Sequence, residues 1–299
     1  MRRFAHLSVF GLVAGLLAAC TPEEVIQTED IPTAGVRFIN AVPDTGAMDM
    51  RAVDITENTT FYNVAFRGTA LLFYKNAAAG SRHFRIFQSP DASKSSAVQI
   101  AMAQVVFADT TVTLEAGKRY TFLMWGNARG NAPAMRLAVL TDDPADPGNQ
   151  VALRFINAGA GLGAIDARQY PSTGTAPATP DWPAVAELTA GAYIMADTGV
   201  KKFNIRSAGG ATALFTDPTA LAGTYAVSSV VIGTPNTCPP KDPALCDLEA
   251  TPGTQVAGSA VSAILVPRSV AGSTAPSFTT PALMFAWDKR PPRTQCGRC

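Results

Sequence analysis

The chain has 299 residues, with 24 Lys and Arg against 23 Asp and Glu and a net charge of +1. Charge this balanced leaves no basic stripe for nucleic acid, and the length predicts two domains of roughly 100–200 residues each. Gly and Pro number 24 and 22, while Glu and Lys are sparse, a bias towards strands and turns over long surface helices.

Arg2 and Arg3 precede an apolar stretch, Leu7 to Leu17, that has the length of a signal-peptide core and is too short to span a bilayer. It ends in Leu17-Ala18-Ala19-Cys20. This string resembles the lipobox of bacterial lipoproteins, in which the cysteine thiol receives a diacylglyceryl group and becomes the first mature residue. The resemblance implies a signal peptide over 1–19, lipidation at Cys20 and a polar tether over 20–34. It also implies an extracytoplasmic location, anchored to the cell envelope by lipid. Thr21 stands where an Asp would retain such a protein at the inner membrane, which points to the outer membrane. Each buried methylene is worth about 0.8 kcal/mol, so several acyl chains hold where one does not.

Beyond the tether, short strands are expected near 35–41, 47–54, 69–75, 82–87, 98–114 (one long or two short), 119–126 and 134–141. Turn signals such as Pro43-Asp44-Thr45-Gly46 separate them. A linker follows at 143–150, inside TDDPADPGNQ. A second series is expected near 151–158, 164–170, 191–197, 201–206, 211–216, 224–233 and 258–267. No long helical pattern interrupts either series. The predicted fold is therefore all-β: two tandem β-sandwich domains of immunoglobulin-like type, over 35–142 and 151–270. The second would carry a disulfide-closed loop (234–255). A C-terminal extension, 271–299, has Leu283, Phe285 and Trp287 alternating as in a last strand or docked segment.

An internal repeat underlies this division. VRFINAVPDTGAMDMR (36–51) returns as LRFINAGAGLGAIDAR (153–168), displaced by 153 − 36 = 117 residues. Arg37, Asn40, Asp49 and Arg51 thus recur as Arg154, Asn157, Asp166 and Arg168. Fainter matches pair LEAGKRYTFLMWG (114–126) with LAGTYAVSSVVIG (221–233), and MRLAVLTDD (135–143) with VSAILVPRS (261–269). In VRFINA, alternation sets Val36 and Phe38 on one face and Arg37 and Ile39 on the other. Asn40 and Asn157 end their strands, where Asn bonds backbone and starts a turn. The VRFINAVPDTGAMDMR opening, a Gly-x-x-x-Phe-x-Ile strand and the AGKRYTFLMWG strand resemble the domain-of-unknown-function family 4397. The resemblance covers most of 34–142 and is weaker over 151–268. It implies a β-sandwich in a secreted or envelope protein and carries no catalytic residue.

Five cysteines are present. Setting Cys20 aside leaves Cys238, Cys246, Cys296 and Cys299 in an oxidising compartment, and local bridges Cys238–Cys246 and Cys296–Cys299 are expected. A four-thiolate zinc site and a redox Cys-x-x-Cys are the alternatives; only one such knuckle exists, and it lies at the C-terminus. His6 leaves with the signal and His83 belongs to a strand, on the face opposite Phe84 and Ile86. No nucleophile elbow or phosphate loop occurs. The sequence assigns no catalytic residue, metal or cofactor.

The repeated charges Asp49, Arg51, Asp166 and Arg168 are candidate ligand-binding residues, or else ordinary surface pairs worth about 0–1 kcal/mol or partners for turn amides. The expected function is a non-enzymatic structural or adhesion module of the envelope, meeting the membrane through Cys20 and an envelope protein or polysaccharide. One alternative is a carbohydrate- or small-ligand-binding protein using Trp125, Trp182 or Tyr62. Another is a hydrolase using carboxylates such as Asp109, Glu115, Asp49 and Asp166.

Overall fold

The structure, a computed structural model, describes residues 31–55, 60–68, 73–130, 132–211, 214, 224–226, 247–248 and 251–295. The signal peptide, Cys20 and the four remaining cysteines lie outside the described residues.

The first half contains β1 (Thr33–Ala41), β2 (Met48–Ala52), β3 (Thr60–Val64), β4 (Lys75–Ala78), β5 (Gly80–Gln88), α1 (Ser96–Ala103), β6 (Val106–Leu114), β7 (Arg119–Trp125) and β8 (Arg136–Thr141). They form two four-stranded sheets, ordered β4-β1-β7-β8 and β3-β2-β5-β6. Val36, Phe38, Met48, Met50, Phe84, Ile86 and Phe122 are among the buried residues that fill the space between them, as alternation requires.

The second half contains β9 (Val151–Asn157), β10 (Ile165–Pro171), β11 (Trp182–Val185), β12 (Thr189–Ala190), β13 (Ile194–Ala196), β14 (Lys201–Ser207), β15 (Thr224–Ala226), β16 (Asp247–Leu248), β17 (Ala260–Val266), β18 (Ala282–Lys289) and β19 (Thr294–Gln295). The same strand order returns. One sheet runs β12-β9-β17-β18, with β13 also on β9, and the other runs β11-β10-β14-β15. Leu153, Phe155, Ile165, Trp182, Phe203 and Ile205 lie in the core between them.

The architecture is an all-β sandwich, but the strand order is not that of an immunoglobulin domain, in which the first, second, fifth and fourth strands share a sheet. Here the first strand pairs in parallel with the seventh, Arg37 opposite Thr121. In the second half β9 pairs in parallel with β17, Arg154 opposite Ser262.

That register corrects the fainter repeat matches. The counterpart of β7 is β17, not residues 221–233, and β15 pairs with β14 as β6 pairs with β5. The counterpart of β8 is β18, which pairs with β17 along its whole length. The C-terminal segment with its alternating Leu283, Phe285 and Trp287 is thus a sheet strand, one of the two readings open to it. Three further strand readings change. Residues 98–103 lie in α1, where an Ala-rich run with no strand to pair with follows its helical propensity. β3 and β11 were absent from the expected strands because their core residues are three apart, Phe61 and Val64 in one and Trp182 and Val185 in the other. A positive-φ residue in each, Asn63 (52°) and Ala184 (46°), breaks the two-residue period.

The sandwiches do not hang as separate beads on the 143–150 linker; from Pro32 onward the chain forms one compact unit. A third core joins them. Ile39, Leu123 and Trp125 from the outer side of the β1 sheet meet Ile156, Ile264, Val266 and Met284 from the β9 sheet. β1, β7, β9 and β17 are therefore buried on both faces. At one end of this seam the loop between β17 and β18 also docks on the first sandwich. Val270 N–H donates to Pro43 O (3.1 Å), and Phe278 meets Phe66 edge-on with ring centroids 5.9 Å apart.

Candidate functional site

The repeated asparagines are turn staples. Asn40 Nδ2 donates to Val64 O (3.0 Å) and Gly46 O (3.4 Å), and its Oδ1 accepts Val42 N–H (3.0 Å). Asn157 repeats this with Val185 O (2.9 Å), Gly163 O (2.9 Å) and Gly159 N–H (3.1 Å). Each side chain ties the strand end to the following turn and to the bulged edge strand.

The repeated aspartates hold those bulges. Asp49 Oδ1 accepts the N–H of positive-φ Asn63 (2.9 Å) and the Ser89 hydroxyl, while Arg51 Nη2 reaches Oδ2 (3.0 Å). Asp166 Oδ1 accepts the N–H of positive-φ Ala184 (2.8 Å) and Oδ2 that of Gly209 (3.1 Å). Both carboxylates are buried and occupied by the fold. The arginines differ. The Arg51 side chain is 45% exposed. Arg168 is buried, its Nε and Nη2 donating to Ala178 O (3.2 and 3.1 Å).

Sequence reasoning did not anticipate the buried charge cluster in the seam. Arg37 Nε donates to Thr121 Oγ1 (2.7 Å), Nη1 to Trp287 O (3.1 Å) and Nη2 to Asp288 Oδ1 (2.6 Å). Arg154 does the same across the seam: Nε to Ser262 Oγ (2.9 Å), Nη1 to Thr141 O (3.3 Å) and Nη2 to Asp142 Oδ1. The hydroxyls close the circuit, Thr121 donating to Asp142 and Ser262 to Asp288 (2.6 Å). Arg37 lies over the Tyr74 ring (4.8 Å to the centroid) and Arg154 over Tyr193 (4.6 Å). Tyr74 O–H also donates to Asp142 (2.7 Å). Two positive and two negative charges thus cancel inside the protein, each arginine from one sandwich meeting an aspartate at the strand end of the other.

Desolvating four ions costs several kcal/mol each and is offset only where hydrogen bonding is this complete. Burial works against the Asp288 charge, but Arg37, Arg154 and the Ser262 hydroxyl outweigh it and hold its pKa below the ordinary range. Burial likewise opposes the charge of Arg37, and Tyr74 and the two carboxylates raise its pKa nonetheless. Burial, then the nearby carboxylates, pushes the Tyr74 and Tyr193 phenols well above theirs. The available signal was the apolar character of VRFINA on both faces, with an arginine inside it; a strand buried on both sides must neutralise such a charge.

Of the three candidate binding aromatics, Trp125 and Trp182 belong to cores, and Tyr62 is 57% exposed. Tyr62 lies on the outer face of the β3-β2-β5-β6 sheet. There Arg51 sits over its ring (5.1 Å) and over Phe87 (5.6 Å). On the next strands Asp109 takes a hydrogen bond from Arg85 Nε (2.8 Å) and a contact from His83 Nε2. The His83 bond, then Arg85, lowers the Asp109 pKa. His83 thus faces outward, as alternation required. Asp109 is not brought to Asp49 or Asp166 in any common cleft, and Glu115 lies in the turn before β7, its N–H bonded to Tyr120 Oη (3.0 Å). Among the described residues no group of His, Cys, Asp and Glu is placed to hold a metal ion, and no helix is long and apolar enough to cross a membrane.

A groove of about 310 Å³ opens beside the cluster, lined by Tyr74, Lys118, Arg119, Trp287 and Lys289 among others. Its cations are engaged: Lys118 with Asp143, Lys289 with Asp146 (3.0 Å), and Arg119 with Asp288 O (2.8 Å).

A family model for a domain of unknown function, DUF4397, matches residues 34–168. The chain therefore carries one copy of that domain, the match running from the start of β1 through most of β10. No curated protein matches the chain.

Proposed function

We propose that the chain is a lipid-anchored, non-enzymatic binding module of the cell envelope, held at Cys20 and built from a duplicated domain fused into one rigid body. The observation that carries this reading is the seam. The charges of its cluster are satisfied by one another, by the Thr121 and Ser262 hydroxyls and by backbone, and so serve to join the two halves. Such a seam supports a stiff presenter of surfaces rather than a hinged pair closing on a substrate. In this reading residues 151–289 descend from a second copy of the same domain, supported by the recurring strand order and by the Arg, Asn and Asp positions. The lipobox resemblance and the polar segment before β1 support the anchor, with the outer membrane as destination. The two local disulfides belong to the same proposal, since that compartment is oxidising.

The test expresses the full chain in a Gram-negative host fed labelled fatty acid. Label should enter the wild type and be absent from Cys20→Ala, which should move from the membrane fraction to the soluble one. A wild-type chain that takes no label, or turnover of a defined substrate by the pure protein, would remove this reading.

A further inference from the structure

Duplication supplies an internal control. Positions that the fold needs are the same in both halves, as with Arg37 and Arg154, Asn40 and Asn157, and Asp49 and Asp166. The outer sheets part company. In the β2–β5 and β10–β14 registers, Arg51 stands opposite Arg85 and Arg168 opposite Asn204. By the same registers Phe87 corresponds to Arg206 and His83 to Lys202. Tyr62, next to Phe61 and one residue before the positive-φ Asn63, corresponds to Pro183, which lies between Trp182 and the positive-φ Ala184. The stretch before β11 closes over the second sheet, since Ala178 O takes Arg168 and Asp181 takes the Gln169 N–H (2.7 Å). Among the described residues no such stretch covers Tyr62 or Arg51, which lie against each other, the guanidinium 5.1 Å from the ring centroid.

We infer that the outer face of the β3-β2-β5-β6 sheet binds an uncharged polysaccharide, with sugar rings against Tyr62 and Phe87 and hydroxyls on Arg51, Arg85, His83 and Asp109. This rests on the reading of the chain as a binding module and names its surface and ligand class. Three features select the ligand. Tyr62, 57% exposed with Arg51 over part of its ring, still offers a rigid apolar surface with a polar tip, which suits a sugar ring. The face mixes donors (the guanidiniums) with an acceptor (Asp109), and sugar hydroxyls both donate and accept. Its charges are paired, Arg51 with Asp49 and Arg85 with Asp109. An anionic polymer would have to displace a carboxylate from each arginine; a neutral glycan does not. From β3 to β6 the face spans three inter-strand spacings, about 14 Å, room for a short run of rings.

The experiment titrates the full chain, by calorimetry, with a linear β-glucan, a galactomannan, dextran and, as the anionic comparison, polygalacturonate. At least one neutral polymer should bind, more tightly than polygalacturonate. Tyr62→Ala should weaken that binding by tenfold or more at unchanged melting temperature, while Pro183→Ala on the second sandwich changes it less than twofold. His83→Ala, at a partly exposed position, should weaken it severalfold. Failure of all three neutral polymers to bind, preference for polygalacturonate, or Tyr62→Ala binding like wild type would overturn the inference. The fatty-acid labelling of Cys20 is independent of these results, so a failed titration leaves the anchored-module reading standing.

Discussion

The two sandwiches are alike where they meet and different where they face away. In the seam Arg37, Thr121 and Asp142 of the first stand against Arg154, Ser262 and Asp288 of the second, with equivalent donors on equivalent acceptors. On the outer sheets the arginine that recurs in the repeat is open as Arg51 and covered as Arg168. A buried charge cluster ties each member to all the others, because removing any one leaves an uncompensated ion. An outer face carries no such coupling and is free to diverge. Likeness between the halves therefore marks what the fold requires, and difference marks where function is free to specialise.

The comparison is broken most severely in the seam. Asp288→Ala strands Arg37 without its closest carboxylate in a buried site, and unfolding in urea should show a loss of about 3–5 kcal/mol. If the two arms are equivalent, Arg37→Ala and Arg154→Ala should each cost a similar amount and agree within about 1 kcal/mol. An inert Arg154→Ala beside a crippled Arg37→Ala would show that the seam is not symmetric in energy. Next come the staples: Asn40→Ala and Asn157→Ala each leave two carbonyls and a turn amide short of a partner, at about 2–3 kcal/mol measured the same way.

The seam also sets the pH limits. The folded pKa of Asp288 is depressed, so its contribution is present above the unfolded aspartate value, about 3.9, and is lost as pH falls below it. The folded pKa values of Tyr74 and Tyr193 are raised, so their contribution is full below the unfolded tyrosine value, about 10, and fades as pH rises past it. Stability should thus hold between these limits. Above about pH 10 it should fall with a slope approaching 1.4 kcal/mol per pH unit for each buried phenol. Tyr74→Phe and Tyr193→Phe should each flatten that slope by one proton, read from urea midpoints between pH 9 and 11. An unchanged slope in both variants would mean that the phenols ionise freely in the folded protein.

Much of this was legible beforehand, and the gaps have physical causes. The RFINA repeat and its alternation located β1 and β9, their inward phenylalanines and their terminal asparagines, because those features are local. The bulged strands β3 and β11 were not legible because a positive-φ residue destroys the period that reveals a strand. The partners of Arg37 were hidden by distance: Asp288 lies 251 residues away. The β8–β18 equivalence was obscured because the two strands share little beyond an aspartate at their end. Of the readings open for the repeated charges, the amide contacts of Asp49 and Asp166 match one, since Asp49 takes the Asn63 N–H and Asp166 the Ala184 N–H. Sequence alone could not tell that Arg51 is open and Arg168 covered, since that depends on how the stretch before β11 closes over the sheet.

The smallest expected effect sharpens the comparison most. Thr121 and Ser262 occupy one role, each receiving an arginine Nε–H and passing its own proton to an aspartate, and they differ by a methyl group. If the role alone matters, Thr121→Ser should cost about 1 kcal/mol for the buried methyl it removes. Ser262→Thr should cost about 1–3 kcal/mol if the well-packed seam cannot take the added carbon. The two changes made together should then depart from their sum, because Thr121 and Ser262 belong to one hydrogen-bonded network through Asp142, Arg154, Asp288 and Arg37. Urea unfolding of the two single variants and the double variant gives the coupling directly. A coupling above about 0.5 kcal/mol would show that the arms communicate through the paired arginines, and that the seam behaves as one element rather than two matched ones.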